Sequence, residues 1–94
     1  MSDSASILLV DDSRASRMLC ATVLRSLRPD LRILEAGDGE AALALMAGER
    51  ADLAILDMNM PGMSGLELAE KLHLTHPVMK LALLTANEIG RAHV

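Results

Sequence analysis

Short uninterrupted apolar runs, each closed by a polar residue, constrain this chain more than any other feature. Ile7-Leu8-Leu9-Val10 stops at Asp11, Leu53-Ala54-Ile55-Leu56 stops at Asp57, and Leu81-Ala82-Leu83-Leu84 stops at Thr85. A run of this kind, apolar without alternation, suits a strand buried on both faces, as in a parallel sheet. Leu31 to Glu35 alternates and reads as a further strand, second in chain order. Helical stretches separate the strands. Arg14 to about Leu27 holds no Gly or Pro, and Ser13 before it is a candidate cap. Ala15, Leu19, Thr22, Val23 and Leu27 share one face of that helix; Met18, Ala21 and Leu24 widen it, so two neighbours are expected to cover it. Gly37-Asp38-Gly39 reads as a turn. Glu40 to about Ala47, rich in helix-favouring Ala and Leu, reads as a second helix ended by Gly48. Ser64 and Glu67 have capping-box spacing, which predicts a third helix from there to about His73, with Pro77 barring continuation. Ala86 to Val94 is expected to begin a fourth helix.

Strands alternating with helices at short spacing predict an α/β fold with helices on both faces of a parallel sheet. At 94 residues the chain is one small domain. Its hydrophobic content of 51% excludes a disordered tail, and without Phe, Tyr or Trp its core is aliphatic, with seven Met to fill gaps. A net charge of −4 with scattered basic residues argues against nucleic-acid binding, because phosphate neutralisation needs clustered Lys and Arg. The longest apolar run, Ala41 to Ala47, has seven residues, whereas a membrane span needs about 20. The N-terminus is acidic where a signal peptide would be basic, so a cytoplasmic location is expected. Cys20, the single cysteine, cannot make an internal disulfide, in keeping with a reducing compartment, and its mid-helix place suggests a small core residue.

In open parallel sheets ligands gather beyond the carboxyl ends of the strands. There stand Asp11 and Asp12, Asp57, and Thr85. If the first and third strands are neighbours, three carboxylates meet at one rim. One acid after a buried strand is often only a turn or helix cap, but a cluster of like charges is costly without a cation. Oxygen-only ligands suit a hard ion that keeps several waters, which makes Mg²⁺ the natural candidate. A divalent ion beside a carboxylate organises phosphoryl transfer, and one carboxylate can act as the nucleophile. The Thr85 hydroxyl can reach a phosphoryl oxygen, or it can cap a helix with Glu88 three residues on. His73 and His76 have ligand-like spacing but no third ligand nearby. Met58, Met60 and Met63 flank a turn and read as loop packing. Gly37 and Gly39 lack the third glycine of a dinucleotide fingerprint.

The string Leu8-Leu9-Val10-Asp11-Asp12-Ser13 resembles the opening of bacterial response-regulator receiver domains. Asp57-Met58-Asn59-Met60-Pro61-Gly62-Met63-Ser64-Gly65 is similar to that family's phosphorylation loop, and Leu83-Leu84-Thr85-Ala86 to its fourth strand and hydroxyl. The resemblance implies a phospho-accepting switch of two-component signalling rather than an enzyme acting on a separate substrate, one that assists its own phosphorylation and dephosphorylation. Asp57 would accept the phosphoryl group from a sensor histidine kinase or a histidine phosphotransfer domain. Asp12 would be the main direct Mg²⁺ ligand, with Asp11 assisting mostly through water, Asp57 itself, and Asn59 through its backbone carbonyl. Thr85 would bind the phosphoryl group, Ala86 would leave the site open, and Pro61 and Gly65 would shape the loop.

The implied fold is the flavodoxin-like doubly wound sheet of strand order 2-1-3-4-5, here incomplete, with four strands and three to four helices of the usual five and five. The chain would be a receiver domain over residues 1–94, stopping after the start of the fourth helix. The family's fifth strand, the lysine after it and the fifth helix are not in the sequence; Lys71 and Lys80 match neither position nor role of that lysine. Two other readings follow from that departure: a non-switching module that dimerises through the first helix or the fourth-strand edge, or one that occupies a kinase. A metal-dependent hydrolase would need a water-activating base, and none stands beyond the three Asp.

Overall fold

The apolar runs form the strands of one parallel sheet in a computed structural model that describes residues 5–84. The strands are β1 (Ser6–Val10), β2 (Arg32–Ala36), β3 (Leu53–Asp57) and β4 (Lys80–Leu84); the helices are α1 (Arg14–Leu27), α2 (Gly39–Met46) and α3 (Gly65–Thr75). The sheet order is β2-β1-β3-β4, with every neighbouring pair parallel. In register, Val10 of β1 lies between Ala36 of β2 and Leu56 of β3, and Asp57 lies beside Leu84 of β4. The carboxyl ends of all four strands therefore finish along one rim.

Alternation along the strands divides the interior. Leu8, Val10, Ala54 and Leu56 belong to a core with Ala42 and Met46 of α2 and Leu68, Ala69 and Leu72 of α3. Met60 and Met79, from the loops flanking α3, complete it. Each Leu buried there contributes about 1.5–3 kcal/mol, and aliphatic packing replaces the aromatic anchors the chain lacks. Ile7 and Leu9, also buried, point to the opposite face, on which α1 packs against β1.

Several boundaries differ from the sequence reading, each for a local reason. β2 starts at Arg32, because the Leu31 N–H is taken by the Arg28 carbonyl in a turn, and it extends to Ala36, which is buried opposite Val10. Asp38 caps α2 by accepting from Ala41 N, which makes Gly39 the first helical residue rather than part of the turn; Ala47, not Gly48, is the C-cap. α3 runs past His73 to Thr75, with His76 as its C-cap, the residue that Pro77 bars from helical backbone. The caps Ser13 and Ser64 stand as expected, accepting from Ser16 N and Glu67 N.

The inner face of α1 also differs. Ala21 is buried, and Arg17, Cys20 and Leu24 are half-buried around it, while Ala15, Met18, Leu19, Val23 and Leu27 are exposed. The apolar stripe thus faces away from the sheet, with Leu19 67% and Leu27 72% exposed. Periodicity pointed to the stripe because it counts apolar residues along one helix and carries no information on which face the sheet meets. The expected fourth helix, and with it Thr85 and Ala86, lies outside the described residues.

Candidate acidic phosphoryl-transfer site

The pairing of β1 with β3 brings Asp11, Asp12 and Asp57 together. Each offers a carboxylate oxygen, and these oxygens lie within 4.8 Å of one another. Asp11 and Asp57 are half-buried and Asp12 is exposed. No Arg or Lys forms an ion pair with any of them among the described residues. They border an open hollow of about 220 Å³ that Ser13, Ser16, Cys20 and Leu84 also line. Asn59 is exposed on the loop beyond it.

Backbone bonds hold the acids in place. Asp11 N donates to the Ala36 carbonyl at 3.2 Å, which ties the end of β1 to the end of β2. Its Oδ1 accepts from Ser13 N at 2.9 Å. On the other side of the rim, Asp57 Oδ1 accepts from Asn59 N at 3.0 Å, and Met58 N donates to the Leu84 carbonyl at 2.9 Å. The loop then returns over itself: Gly65 N donates to the Met58 carbonyl at 3.3 Å. A Cβ at position 65 would collide with the Asp57 carbonyl and lie 2.8 Å from Met58 Cα, so this return requires glycine. Gly62, with φ of 77°, makes the turn that L side chains resist.

Among the described residues the donor set is made of carboxylates, clustered and without a cationic partner. That fits a small hard cation and does not fit one that prefers nitrogen or sulfur. The two histidines among the described residues lie apart from the cluster: His73 is exposed, and His76 Nε2 donates to the Met46 carbonyl at 3.1 Å, joining α3 to α2. Cys20 is not a core residue as its position suggested. It lines the hollow, and burial first, then the negative Asp11, push its thiol above the usual range. Two of the three loop methionines pack as expected: Met60 is in the core, and Met63 packs against the core and against Gly39, while Met58 is half-buried. Sequence reasoning missed Arg17, which reaches the Asp11 carbonyl from α1, and Glu35 of β2, which pairs with it. A charged residue on the inner face of a helix was the available signal.

A family model for the response regulator receiver domain matches residues 7–92. The chain belongs to that family, the phospho-accepting module of two-component response regulators, and its sheet and helices are those of the flavodoxin-like receiver fold. Among its relatives is the cyclic di-GMP phosphodiesterase response regulator RpfG of Xanthomonas campestris, 33% identical over 91 residues, which are 92% of this chain and 24% of that protein. Sporulation initiation phosphotransferase F of Bacillus subtilis is 32% identical over 80 residues, 85% of this chain and 63% of that protein. The chain thus spans less than two thirds of either relative. Among solved structures, the response regulator TrrA of Thermotoga maritima in complex with Mg²⁺–BeF superposes with a TM-score of 0.79 at 31% identity, covering 94% of this chain and 76% of that one. TrrA in complex with the histidine kinase ThkA gives a TM-score of 0.81 at 38% identity, covering 94% and 74%.

Receiver domains of this kind are generally switches rather than enzymes, although RpfG's name joins one to a phosphodiesterase. No helix among the described residues is long and apolar enough to cross a membrane.

Proposed function

We propose that Asp57 is the phospho-acceptor of this receiver domain and that Asp11, Asp12, Asp57 and the Asn59 carbonyl hold Mg²⁺. The meeting of three carboxylates within 4.8 Å at the ends of β1 and β3 carries this reading. With Oδ1 engaged by the Asn59 amide, Asp57 presents Oδ2 as the attacking oxygen. Asp57 forms a bond to phosphorus as the bond from phosphorus to the donor's imidazole nitrogen breaks, and that nitrogen keeps the electron pair. When bound, Mg²⁺ supplies the positive charge that offsets the phosphoryl oxygens and the crowded carboxylates. Asp11, anchored by its own backbone, orients the turn that presents Asp12. Thr85 and Ala86, directly after Leu84 in the sequence, are assigned to the phosphoryl-binding side of the site.

The donor on this reading is a sensor histidine kinase or a histidine phosphotransfer domain, by analogy with the complex of TrrA and ThkA. A cytoplasmic location follows from such a donor. A small phosphodonor with Mg²⁺ tests the assignment. One acid-labile phosphoryl group should appear on the wild-type chain and none on Asp57→Asn. Labelling of the variant would refute the site.

A further inference from the structure

Arg17 stands where its charge and its geometry serve different partners. Its Nη1 donates to the Asp11 carbonyl at 2.6 Å, and its Nε donates to Glu35 Oε1 at 3.1 Å. The side chain is only 17% exposed, and Nη1 passes 3.5 Å from where a Cβ on Gly37 would sit. One guanidinium therefore joins α1, the end of β1, and the last residues of β2 with the turn that follows. Glu35 matches its charge, while the three site carboxylates have no ion-pair partner among the described residues. A cation placed to neutralise the cluster would point at a carboxylate. This one points at the backbone oxygen of the residue that begins the cluster.

We propose that Arg17 is a positioning residue: with Glu35 as its counter-charge, it holds the Asp11–Asp12 turn in the arrangement that accepts a divalent cation. The planar fork satisfies two acceptors in fixed relation, which an ammonium cannot do. The Asp11 peptide is thereby held from both sides, by Arg17 at its carbonyl and by the Ala36 carbonyl at its N–H. This inference rests on the metal reading given above, and the two make separable predictions.

The sign of one effect tests it. An arginine acting through charge alone would oppose Mg²⁺, so its removal would tighten binding. An arginine that holds the turn favours Mg²⁺, so its removal weakens binding despite the lost repulsion. Calorimetric titration of the full chain with Mg²⁺ alone should show Arg17→Ala weaker by about tenfold, the scale seen when groups that orient metal ligands are removed. Arg17→Lys, which keeps the charge, should recover only part of that loss. In metal-free solution, amide exchange at Asp11 and Ser13, whose N–H groups bond the Ala36 carbonyl and Asp11 Oδ1, should quicken in both variants, while Ile55 and Leu56 in β3 stay as protected as in the wild type. Unchanged or tighter Mg²⁺ binding by Arg17→Ala, or full recovery by Arg17→Lys, would overturn the proposal. If Arg17→Ala does not fold, Arg17→Lys and Glu35→Gln carry the test, each expected to weaken binding. A wild-type chain that takes up no Mg²⁺ would sink the metal reading instead. The exchange comparison would then judge Arg17 alone, with unchanged Asp11 and Ser13 amides counting against it.

Discussion

Asp11 and Asp12 are adjacent in sequence and differ in surroundings. Asp11 is half-buried with Oδ1 engaged by Ser13 N, and Asp12 is exposed at the mouth of the hollow. Asp12→Ala should therefore abolish measurable Mg²⁺ binding, whereas Asp11→Ala should weaken it by about tenfold to a hundredfold, as for a group that holds the ion through water rather than directly. Calorimetry on the two variants compares them, and equal losses would remove the distinction. Gly65 faces a steric limit rather than a chemical one. Gly65→Ala should cost about 2 kcal/mol or more, because the intruding methyl meets backbone rather than a yielding side chain. Chemical denaturation followed by far-UV circular dichroism reads this, since a chain without aromatic residues has no tryptophan signal. Cys20 offers a pH-dependent check. Burial and Asp11 raise its thiol above the usual range, so less thiolate is present at neutral pH. Its alkylation should lag that of free cysteine at neutral pH, catch up only under more alkaline conditions, and quicken in Asp11→Asn. Alkylation as fast as free cysteine would contradict this account of its surroundings.

At the scale of elements, caps do much of the positioning. Ser13 ends the Asp11-Asp12 turn and starts α1; its hydroxyl accepts from Ser16 N, while its own N–H orients Asp11. Ser13→Ala removes the cap and keeps the N–H. It should cost about 1 kcal/mol, or roughly 4–8 °C in melting temperature for a domain of this size, with Mg²⁺ affinity nearly unchanged. Parallel thermal and metal titrations separate the two effects. β1, α1 and both serine caps were legible from sequence because capping and strand burial are short-range. The inward face of α1 was not, since burial of Ala21 and half-burial of Arg17, Cys20 and Leu24 come from the packing of α1 on β1, not from the helix's own pattern.

For the whole molecule, the described helices divide unequally between the faces of the sheet. Among the described residues α2 and α3 pack on one face and α1 on the other, with its apolar stripe outward. The sheet edges differ too. β2 carries Arg32 and Glu35, charges that discourage pairing, whereas β4 ends in exposed Leu83 and Leu84. Large contiguous apolar patches on a protein surface mark interaction sites, which gives the stripe and the β4 end a testable consequence. The 94-residue chain should self-associate as its concentration rises, and the double variant Leu19→Glu, Leu27→Glu should sediment closer to a monomer while keeping its helix content. A wild-type chain monomeric at all concentrations would show that neither the stripe nor the β4 edge drives pairing.

The chemistry at the rim was readable one residue at a time. An acid that ends a buried apolar run must emerge at the carboxyl end of a strand, so Asp11, Asp12 and Asp57 announced themselves by position alone. Their meeting was not readable in that way, because it depends on β1 lying beside β3, a pairing across more than forty residues. Tertiary structure alone decided that Gly65 must return to touch the Asp57 peptide, that Cys20 opens onto the hollow, and that Arg17 spends its charge on Glu35 and its geometry on Asp11. The physical reason is the same in each case. Local pattern sets which residues are buried and where an element starts, whereas a contact between elements is set by register and packing across the sheet.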